Sequence, residues 1–223
     1  MDIRGMVFDL DGTLVDSLDD ITTCLNVALS AFGLNTYRPE WVRQNLGHGA
    51  RHLTLQALAA QGRDELGAAV VAEFIRYYNE HPVETTVPYP GVRRLLERFH
   101  DQGIILAVSS NKPASIVVKV VDTLQLAPFF HDVWGGDSFT EKKPSPLALQ
   151  HFTAGHNLSS DTVLMVGDSQ ADIMAARRAG VRSCFFQNGY GTLDPADPPP
   201  DYTIAAFVEL AACVLPARSS CAR

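Results

Sequence analysis

The feature that most constrains the fold is an alternation of short apolar runs with amphipathic stretches of helical length. Apolar runs occur at about 3–8, 104–109, 132–135, 162–167 and 182–186. Stretches with helical periodicity lie between them, at about 91–102, 113–125, 145–156 and 170–179. Strands that alternate with helices form right-handed β-α-β units, in which helices cover both faces of a parallel sheet. The sequence therefore predicts an α/β fold with a doubly wound parallel sheet.

The stretch from about 16 to 82 breaks this alternation, because it has helical periodicity and no convincing strand. Its first helix would begin after Asp16 or Ser17, either of which can cap a helix N-terminus, and would end before Gly33. Further helices are predicted from about Pro39, at 50–60 and at 63–79. We therefore expect an α/β core at 1–15 and 83–215, an inserted all-helical cap domain at 16–82 and a mobile tail at 216–223.

Charge and composition exclude several classes of protein. A net charge of −7 argues against nonspecific binding to nucleic acid or to an anionic membrane, because both need a basic surface. The chain lacks a signal-peptide pattern and an apolar run of about 18 residues, so we expect a cytoplasmic protein without a membrane partner. Its oligomeric state, monomer or homodimer, stays open. The cysteines lack the spacing of metal or disulfide sites and are expected to be reduced: Cys24, Cys184, Cys213 and Cys221.

Two carboxylates follow the first apolar run, in the segment Asp9-Leu10-Asp11-Gly12-Thr13. Positions i and i+2 at the end of a strand point to the same side, so both carboxylates converge at the edge where open α/β sheets bind ligands. One aspartate can attack phosphorus, and the other can transfer a proton. Thr13 can offer its hydroxyl to a phosphate oxygen. The alternative interpretation of this segment alone is a solvated Asp-Gly turn.

A second acidic pair, Asp168 and Asp172, follows the apolar run at 162–167. The two residues are one helical turn apart and share a helix face. Together with Asp9 they would assemble a site of hard carboxylate oxygens, which suits Mg²⁺. The alternative is that Asp168 or Ser169 only caps the helix at 170–179.

Three further side chains are candidates for binding phosphate. Ser110 and Asn111 follow the run at 104–109, where a hydroxyl, an amide and the N–H groups of the next helix can hold phosphate oxygens. A simple helix cap explains this pair equally well. Lys143 precedes Pro144-Ser145-Pro146, a stiff loop that can hold an ammonium ion between phosphate and nucleophile. A solvated surface group is the usual alternative for a single lysine.

Taken in order, these motifs resemble those of the haloacid dehalogenase superfamily of phosphotransferases. The resemblance implies a doubly wound core, a helical cap inserted after the first strand, and Mg²⁺. It assigns Asp9 as the nucleophile and Asp11 as the general acid and base, and it places Ser110 and Lys143 on the phosphate. The implied metal ligands are Asp9, the backbone carbonyl of Asp11, Asp168 and, directly or through water, Asp172.

Within the superfamily, the resemblance favours hydrolysis of phosphate esters. Dehalogenases lack the second aspartate of the first motif, so Asp11 indicates phosphate chemistry. Phosphonate-cleaving members use a cap lysine, whereas residues 16–82 contain none. Sugar-phosphate mutases carry a histidine where this chain has Ile21. A mutase and a non-catalytic binding protein are therefore the weaker alternatives.

The segment 46–53 resembles the glycine-containing substrate loop of phosphoglycolate phosphatases, as do the segments 110–113 and 188–191. We therefore expect a Mg²⁺-dependent phosphomonoesterase whose substrate is a small phosphorylated metabolite, with 2-phosphoglycolate as the best candidate. Pyrophosphate, a nucleotide or a sugar phosphate are the alternative substrates. Glycines in the loop would let the cap approach a small substrate, although they could also only shape a turn. The candidate cap residues are Gly47, His48, Gly49 and Arg51, with His52 as a further candidate for the substrate carboxylate.

Overall fold

A computed structural model of the chain describes residues 2–214. The strands are β1 (Gly5–Phe8), β2 (Val15–Asp16), β3 (Val87–Pro88), β4 (Ile105–Ser109), β5 (Asp132–Trp134), β6 (Val163–Gly167), β7 (Arg182–Phe186) and β8 (Tyr202–Ile204). The helices are α1 (Leu18–Ser30), α2 (Pro39–Gln44), α3 (Ala50–Ala59), α4 (Gly67–Glu80), α5 (Val92–Asp101), α6 (Ala114–Thr123), α7 (Leu147–Gly155), α8 (Gln170–Ala179) and α9 (Phe207–Val214). The expected mobile tail at 216–223 and Cys221 lie outside the described residues.

Six strands form one parallel sheet in the order β5-β4-β1-β6-β7-β8. Side chains of successive strand residues point to opposite faces, and both faces are covered. Met6 and Phe8 of β1 pack in the hydrophobic core that includes residues of α5, α6 and α9. Val7 packs in a second core with residues of α7 and α8. The predicted doubly wound α/β fold is therefore confirmed.

The register of the sheet brings the predicted motifs to one edge. Phe8, the last residue of β1, is level with Val108 of β4 and with Val166 of β6. Because the three strands are parallel, the segments that follow them leave the sheet on the same side. The carboxylates that follow β1 and β6 and the polar residues that follow β4 are thereby neighbours.

The predicted core strands and helices are present within a few residues of their expected bounds. Among the strands and α-helices of residues 2–214, four have no sequence prediction: the two-residue strands β2 and β3, the strand β8 and the helix α9. A two-residue strand has no periodicity to detect. The strand β8 has only three residues and follows the proline-rich segment 194–201, so its pattern is equally short.

Helices α1–α4 form a helical block, which the chain enters after β2 and leaves before β3. These two strands pair antiparallel, with Val15 level with Pro88, so both ends of the block lie together. Asp20 of α1 joins the ends further. Its carboxylate accepts hydrogen bonds from the backbone N–H groups of Glu84, Thr85 and Thr86 and from both threonine hydroxyls. Burial raises the pKa of Asp20, but these hydrogen bonds outweigh it and lower the pKa below its ordinary value.

The start of α1 differs from the expected capping. Ser17 is at the N-cap position, but its hydroxyl donates to Asp11 Oδ1 at 2.6 Å instead of capping the helix. Pro39 is the first residue of α2, as predicted. Cys24 and Cys184 are buried, Cys213 is partly buried, and all three are free thiols. Within residues 2–214 no helix combines the length and the apolar character that crossing a membrane requires.

Candidate active site

Asp9 directly follows the buried strand β1, and the ammonium group of Lys143 binds its carboxylate. Lys143 Nζ lies 2.8 Å from Asp9 Oδ1 and 2.7 Å from Asp172 Oδ1. It also donates a hydrogen bond of 2.6 Å to the carbonyl oxygen of Ser109 at the end of β4. Burial lowers the pKa of Lys143, but Asp172 and Asp9 raise it above its ordinary value. Lys143 is therefore a fixed, charged group and not a solvated surface lysine.

Three buried carboxylates converge beside this lysine. Asp9, Asp168 and Asp172 each offer one oxygen, and the three oxygens lie within 4.8 Å of one another. Burial and the charge of Asp172 raise the pKa of Asp168 to about 6. Burial also raises the pKa of Asp9, against the opposing effect of Lys143. One ammonium ion does not balance three carboxylates, so a divalent cation fits this cluster, and its hard oxygens suit Mg²⁺.

Asp168 is held in place by three donors. The backbone N–H groups of Tyr190 and Gly191 donate to its Oδ2 at 2.7 and 3.2 Å. The hydroxyl of Thr13 donates to its Oδ1 at 2.9 Å, and Thr13 is fully buried. In this structure Thr13 orients a carboxylate of the acidic cluster, and the expected contact of its hydroxyl with a phosphate oxygen stays a prediction.

Asp172 takes part in both interpretations that the sequence left open. Ser169 is the N-cap residue of α8, and its N–H and hydroxyl both donate to Asp172 Oδ2, at 3.1 and 2.6 Å. The other oxygen, Oδ1, pairs with Lys143. The helix cap therefore positions the carboxylate that belongs to the acidic cluster.

Asp11 contacts a residue that the sequence analysis did not single out. Its Oδ1 accepts a hydrogen bond of 2.6 Å from Lys112 Nζ, in addition to the one from Ser17. Lys112 Nζ also donates to the Tyr78 hydroxyl of α4, at 2.6 Å. The sequence does contain a signal for Lys112, because Lys112 and Asp11 each lie three positions after the end of a strand. The two strands, β4 and β1, are neighbours in the sheet.

The residues after β4 separate into two roles. Ser110 lines the cavity with Asp9, and its oxygen accepts from the Lys112 N–H at 3.2 Å, so its proton is available for a phosphate oxygen. Asn111 lines the same cavity, but its amide N–H groups donate to the carbonyl oxygens of Gly47 and Lys143, at 2.8 and 3.0 Å. Both amide protons are therefore used within the protein, and the expected phosphate contact of Asn111 stays a prediction. Asn111 joins the helical block to the sheet.

The loop between α2 and α3 contributes glycines to the site. Gly47 and Gly49 line the cavity that holds Asp9 and Asp11. Gly49 has a φ of +83°, and a Cβ there would lie 2.5 Å from the backbone oxygen of Asn111. Only glycine therefore permits this approach of the loop to the residues after β4.

The charged and histidine residues of the loop lie outside this cavity. His48, Arg51 and His52 are all absent from its lining, and the His48 and His52 rings contact each other with centroids 4.9 Å apart. His48 lines a neighbouring cavity with Gly47 and Tyr190, and substrate contact by these residues stays a prediction. The cavity has a volume of about 50 Å³ and is lined by Asp9, Asp11, Ile21, Leu46, Gly47, Gly49, Ala50, Leu53, Phe74, Tyr78, Ser110, Asn111 and Lys112.

A second lobe of the site shares Asp9, Asp11, Leu46 and Gly47 with this cavity and also includes Asp168, Arg43 and Tyr190. Arg43 of α2 donates to the carbonyl oxygen of Gly189 at 2.6 Å. The Tyr190 hydroxyl accepts from the Ser17 N–H at 2.6 Å, where α1 begins. The loop 189–191 thus contacts both the acidic cluster and the helical block. Arg43 is a second residue that sequence reasoning missed, since nothing in the sequence places α2 beside this loop.

Comparison with known proteins identifies the family. The model of the haloacid dehalogenase-like hydrolase family matches residues 6–186. The chain is a haloacid dehalogenase-like hydrolase. It is 37% identical over 224 residues to a phosphoglycolate phosphatase of Aliivibrio fischeri, covering 97% of this chain and 99% of the relative. It is 38% identical over 203 residues to a phosphoglycolate phosphatase of Aquifex aeolicus, covering 91% of this chain and 92% of the relative.

Solved structures agree with this family membership. A crystal structure described as a predicted phosphoglycolate phosphatase from Haemophilus somnus 129pt superposes with a TM-score of 0.89 at 29% identity, covering 96% of this chain and 99% of that one. The chain is thus a haloacid dehalogenase-like hydrolase of phosphoric monoesters that resembles phosphoglycolate phosphatases. Asp9, Lys143 and the acidic cluster all lie inside the matched range, as does the whole helical block.

Proposed function

We propose that this hydrolase is a Mg²⁺-dependent phosphomonoesterase that forms an aspartyl phosphate and acts on 2-phosphoglycolate. The observation that carries the proposal is the position of Asp9, which opens into a small cavity with Lys143 on its carboxylate and two further carboxylates beside it. A second aspartate, Asp11, opens into the same cavity. The choice of substrate is supported by the names of the relatives and by the small volume of the cavity.

In the first step, a carboxylate oxygen of Asp9 attacks phosphorus, and the bond between phosphorus and the leaving oxygen breaks. Asp11 gives its proton to that oxygen, which departs as the alcohol. The ammonium of Lys143 and the hydroxyl of Ser110 stabilise the negative charge on the phosphoryl oxygens. In the second step, Asp11 takes a proton from water as the water attacks phosphorus, which releases phosphate and restores Asp9.

The residues that would hold Mg²⁺ are Asp9, Asp168 and the backbone carbonyl of Asp11, with Asp172 as a direct or water-mediated ligand. When bound, the ion offsets the repulsion between these carboxylates and the phosphate dianion. Thr13, Tyr190 and Gly191 keep Asp168 oriented for this role through their hydrogen bonds.

The proposed cap is the helical block, at about 16–82, and its closure over the sheet edge would exclude water and select the leaving group. Its loop already contacts the core, because Asn111 donates to Gly47 and Gly49 lies against the Asn111 backbone. The cap residues of this loop that we propose for substrate contact are Gly47, His48, Gly49 and Arg51, of which Gly47 and Gly49 line the cavity with Asp9.

Magnesium should stabilise the protein more at pH 7.5 than at pH 5. The pKa of Asp168 is raised from 3.8 to about 6, so the metal-free fold binds more protons than the unfolded chain between these values. Stability without metal therefore falls as pH rises through this window. Because metal ligands must be ionised, Mg²⁺ gains affinity over the same window, and at about 100 times its Kd it adds about 2.7 kcal/mol.

Thermal unfolding in EDTA and in Mg²⁺ at both pH values measures this difference. Comparing the two conditions at a single pH cancels the titration of groups away from the metal. An equal shift in Tm at both pH values, or no shift at either, would contradict the proposed metal site.

The substrate assignment is tested with a panel of phosphate compounds in the presence of Mg²⁺, with released inorganic phosphate as the readout. The panel contains 2-phosphoglycolate, pyrophosphate, a nucleoside monophosphate and a hexose phosphate. We expect the kcat/KM for 2-phosphoglycolate to exceed the others by about 10-fold or more, which corresponds to about 1.4 kcal/mol of transition-state binding. Absence of this preference would reject the substrate while leaving the phosphatase activity in place.

A further inference from the structure

The cavity between Asp11 and the helical block has a single cation among its described lining residues, and this is Lys112. Its Nζ lies 2.6 Å from Asp11 Oδ1, 2.6 Å from the Tyr78 hydroxyl and 4.4 Å from the centroid of the Tyr78 ring. Lys112 is 6% exposed and Tyr78 is 1% exposed. Because a buried ammonium ion is costly to desolvate, Lys112 favours anionic partners inside this cavity.

Lys112 and Tyr78 retain hydrogen-bond donors after their mutual contact. An ammonium group has three protons, and Asp11 and Tyr78 accept two of those on Lys112. The Tyr78 hydroxyl accepts from Lys112, so its own proton is available to donate. Burial, together with the charge of Asp11, raises the pKa of Tyr78, which keeps the phenol protonated. One carboxylate group can accept both remaining hydrogen bonds.

The other residues that line the cavity strengthen the preference of Lys112 and Tyr78 for an anionic group. Ile21, Leu53 and Phe74 contribute apolar surface around the two donors. Low polarity strengthens the attraction between an ammonium ion and a substrate anion. In the second lobe of the site, Arg43 already donates to Gly189, and its guanidinium lies 5.8 Å from the centroid of the Tyr190 ring. Lys112 is therefore the better placed partner for a second anionic group on the substrate.

We propose that Lys112 and Tyr78 form a carboxylate-binding subsite, so that the enzyme selects short phosphate esters whose leaving group carries a carboxylate. This inference rests on the proposed phosphatase function and adds the residues that recognise the substrate. The substrate carboxylate accepts the remaining hydrogen bond of Lys112 and the one of the Tyr78 hydroxyl, while Lys112 keeps its ion pair with Asp11.

The test compares 2-phosphoglycolate with 2-hydroxyethyl phosphate, in which a CH₂OH group replaces the carboxylate. The readout is the ratio of the two kcat/KM values, because a general effect on Asp11 changes both values equally. We expect Lys112→Met to lower this ratio about 100-fold and Tyr78→Phe to lower it about 10-fold, as for lost hydrogen bonds to a charged group. Lys112→Arg, which keeps the charge, should retain more of the ratio than Lys112→Met.

Lys119→Met is the matched control. Lys119 also reaches from the core to α4, where it donates to the backbone oxygen of Asn79, next to Tyr78. Lys119 is exposed and lies outside the cavity lining. The ratio of the two kcat/KM values in Lys119→Met should therefore equal that of the wild type. Circular dichroism melts of each variant establish that it is folded.

Each outcome has a defined meaning. If Lys112→Met lowers kcat/KM equally for both esters, the subsite is overturned, and Lys112 acts only through its contact with Asp11. A wild-type enzyme that hydrolyses both esters equally would also overturn the subsite, while the phosphatase function stands. A protein inactive on every ester rejects the proposed function and the subsite with it.

Discussion

Replacing Asp9 with asparagine should lower turnover by about 10⁴-fold or more, the range seen when a catalytic nucleophile is removed. The amide keeps the shape of the side chain but is not a nucleophile toward phosphorus. Release of phosphate from 2-phosphoglycolate in Mg²⁺ measures the loss. Activity of Asp9→Asn close to that of the wild type, on any phosphate ester, would falsify the aspartyl-phosphate mechanism.

The same variant should not be destabilised when metal is absent. The pKa of Asp9 is raised in the fold, so its carboxyl group contributes stability at low pH that is lost as pH rises and the group ionises. At pH 7.5 the ionised carboxylate of Asp9 is repelled by Asp168 and Asp172, and a neutral amide removes this repulsion. Lys143 keeps its contact with Asp172. Urea unfolding in EDTA should give a free energy of unfolding equal to or above that of the wild type. A clear decrease would mean that Asp9 mainly holds the fold together.

Replacing Lys143 with methionine should damage both stability and activity. Lys143 is 5% exposed and separates Asp9 from Asp172, so its removal leaves buried carboxylates without their ammonium partner. Breaking a buried ion pair from one side costs about 3–5 kcal/mol, measured here by urea unfolding in EDTA. Loss of a charge that stabilises the phosphoryl oxygens should lower kcat by roughly 10²–10³-fold.

Lys142→Met is the control for this variant. Lys142 is the preceding residue, is exposed and, within residues 2–214, donates a hydrogen bond to the backbone oxygen of His48. Its replacement should change kcat by less than about threefold and stability by less than about 0.5 kcal/mol, as for most surface substitutions. If Lys143→Met behaves like Lys142→Met, the central position of Lys143 has no energetic consequence and its proposed role is wrong.

The parts of the site that the sequence predicts are those that depend on strand ends. Asp9, Ser110 and Asp168 each follow a buried apolar run, and parallel strands deliver such residues to a common edge. Their proximity therefore follows from the alternation of strands and helices alone. The fold class is predictable for the same reason, because the apolar runs are long enough to show a pattern.

The parts that the sequence does not predict depend on how side chains are directed in three dimensions. The side chains of Thr13 and Asn111 could donate hydrogen bonds to phosphate, but in the fold they donate to other protein groups. Whether a hydroxyl or amide meets a ligand or a neighbour is decided by packing distances that no motif encodes. The position of His48 and Arg51 depends on the register of α3 after a glycine loop, where one residue turns a side chain by about 100°.

The paired strands β2 and β3 also have a consequence for protein engineering. Because Val15 lies beside Pro88, the segment between them begins and ends at one point on the core. A segment whose ends already meet can be exchanged for one of another length at a small entropic penalty, roughly 0.6 kcal/mol for each doubling of a flexible loop. A graft of a foreign helical module at this point leaves the strand-end residues Asp9 and Asp168 in place, whereas the carboxylate recognition that we assign to Tyr78 would leave with the original module.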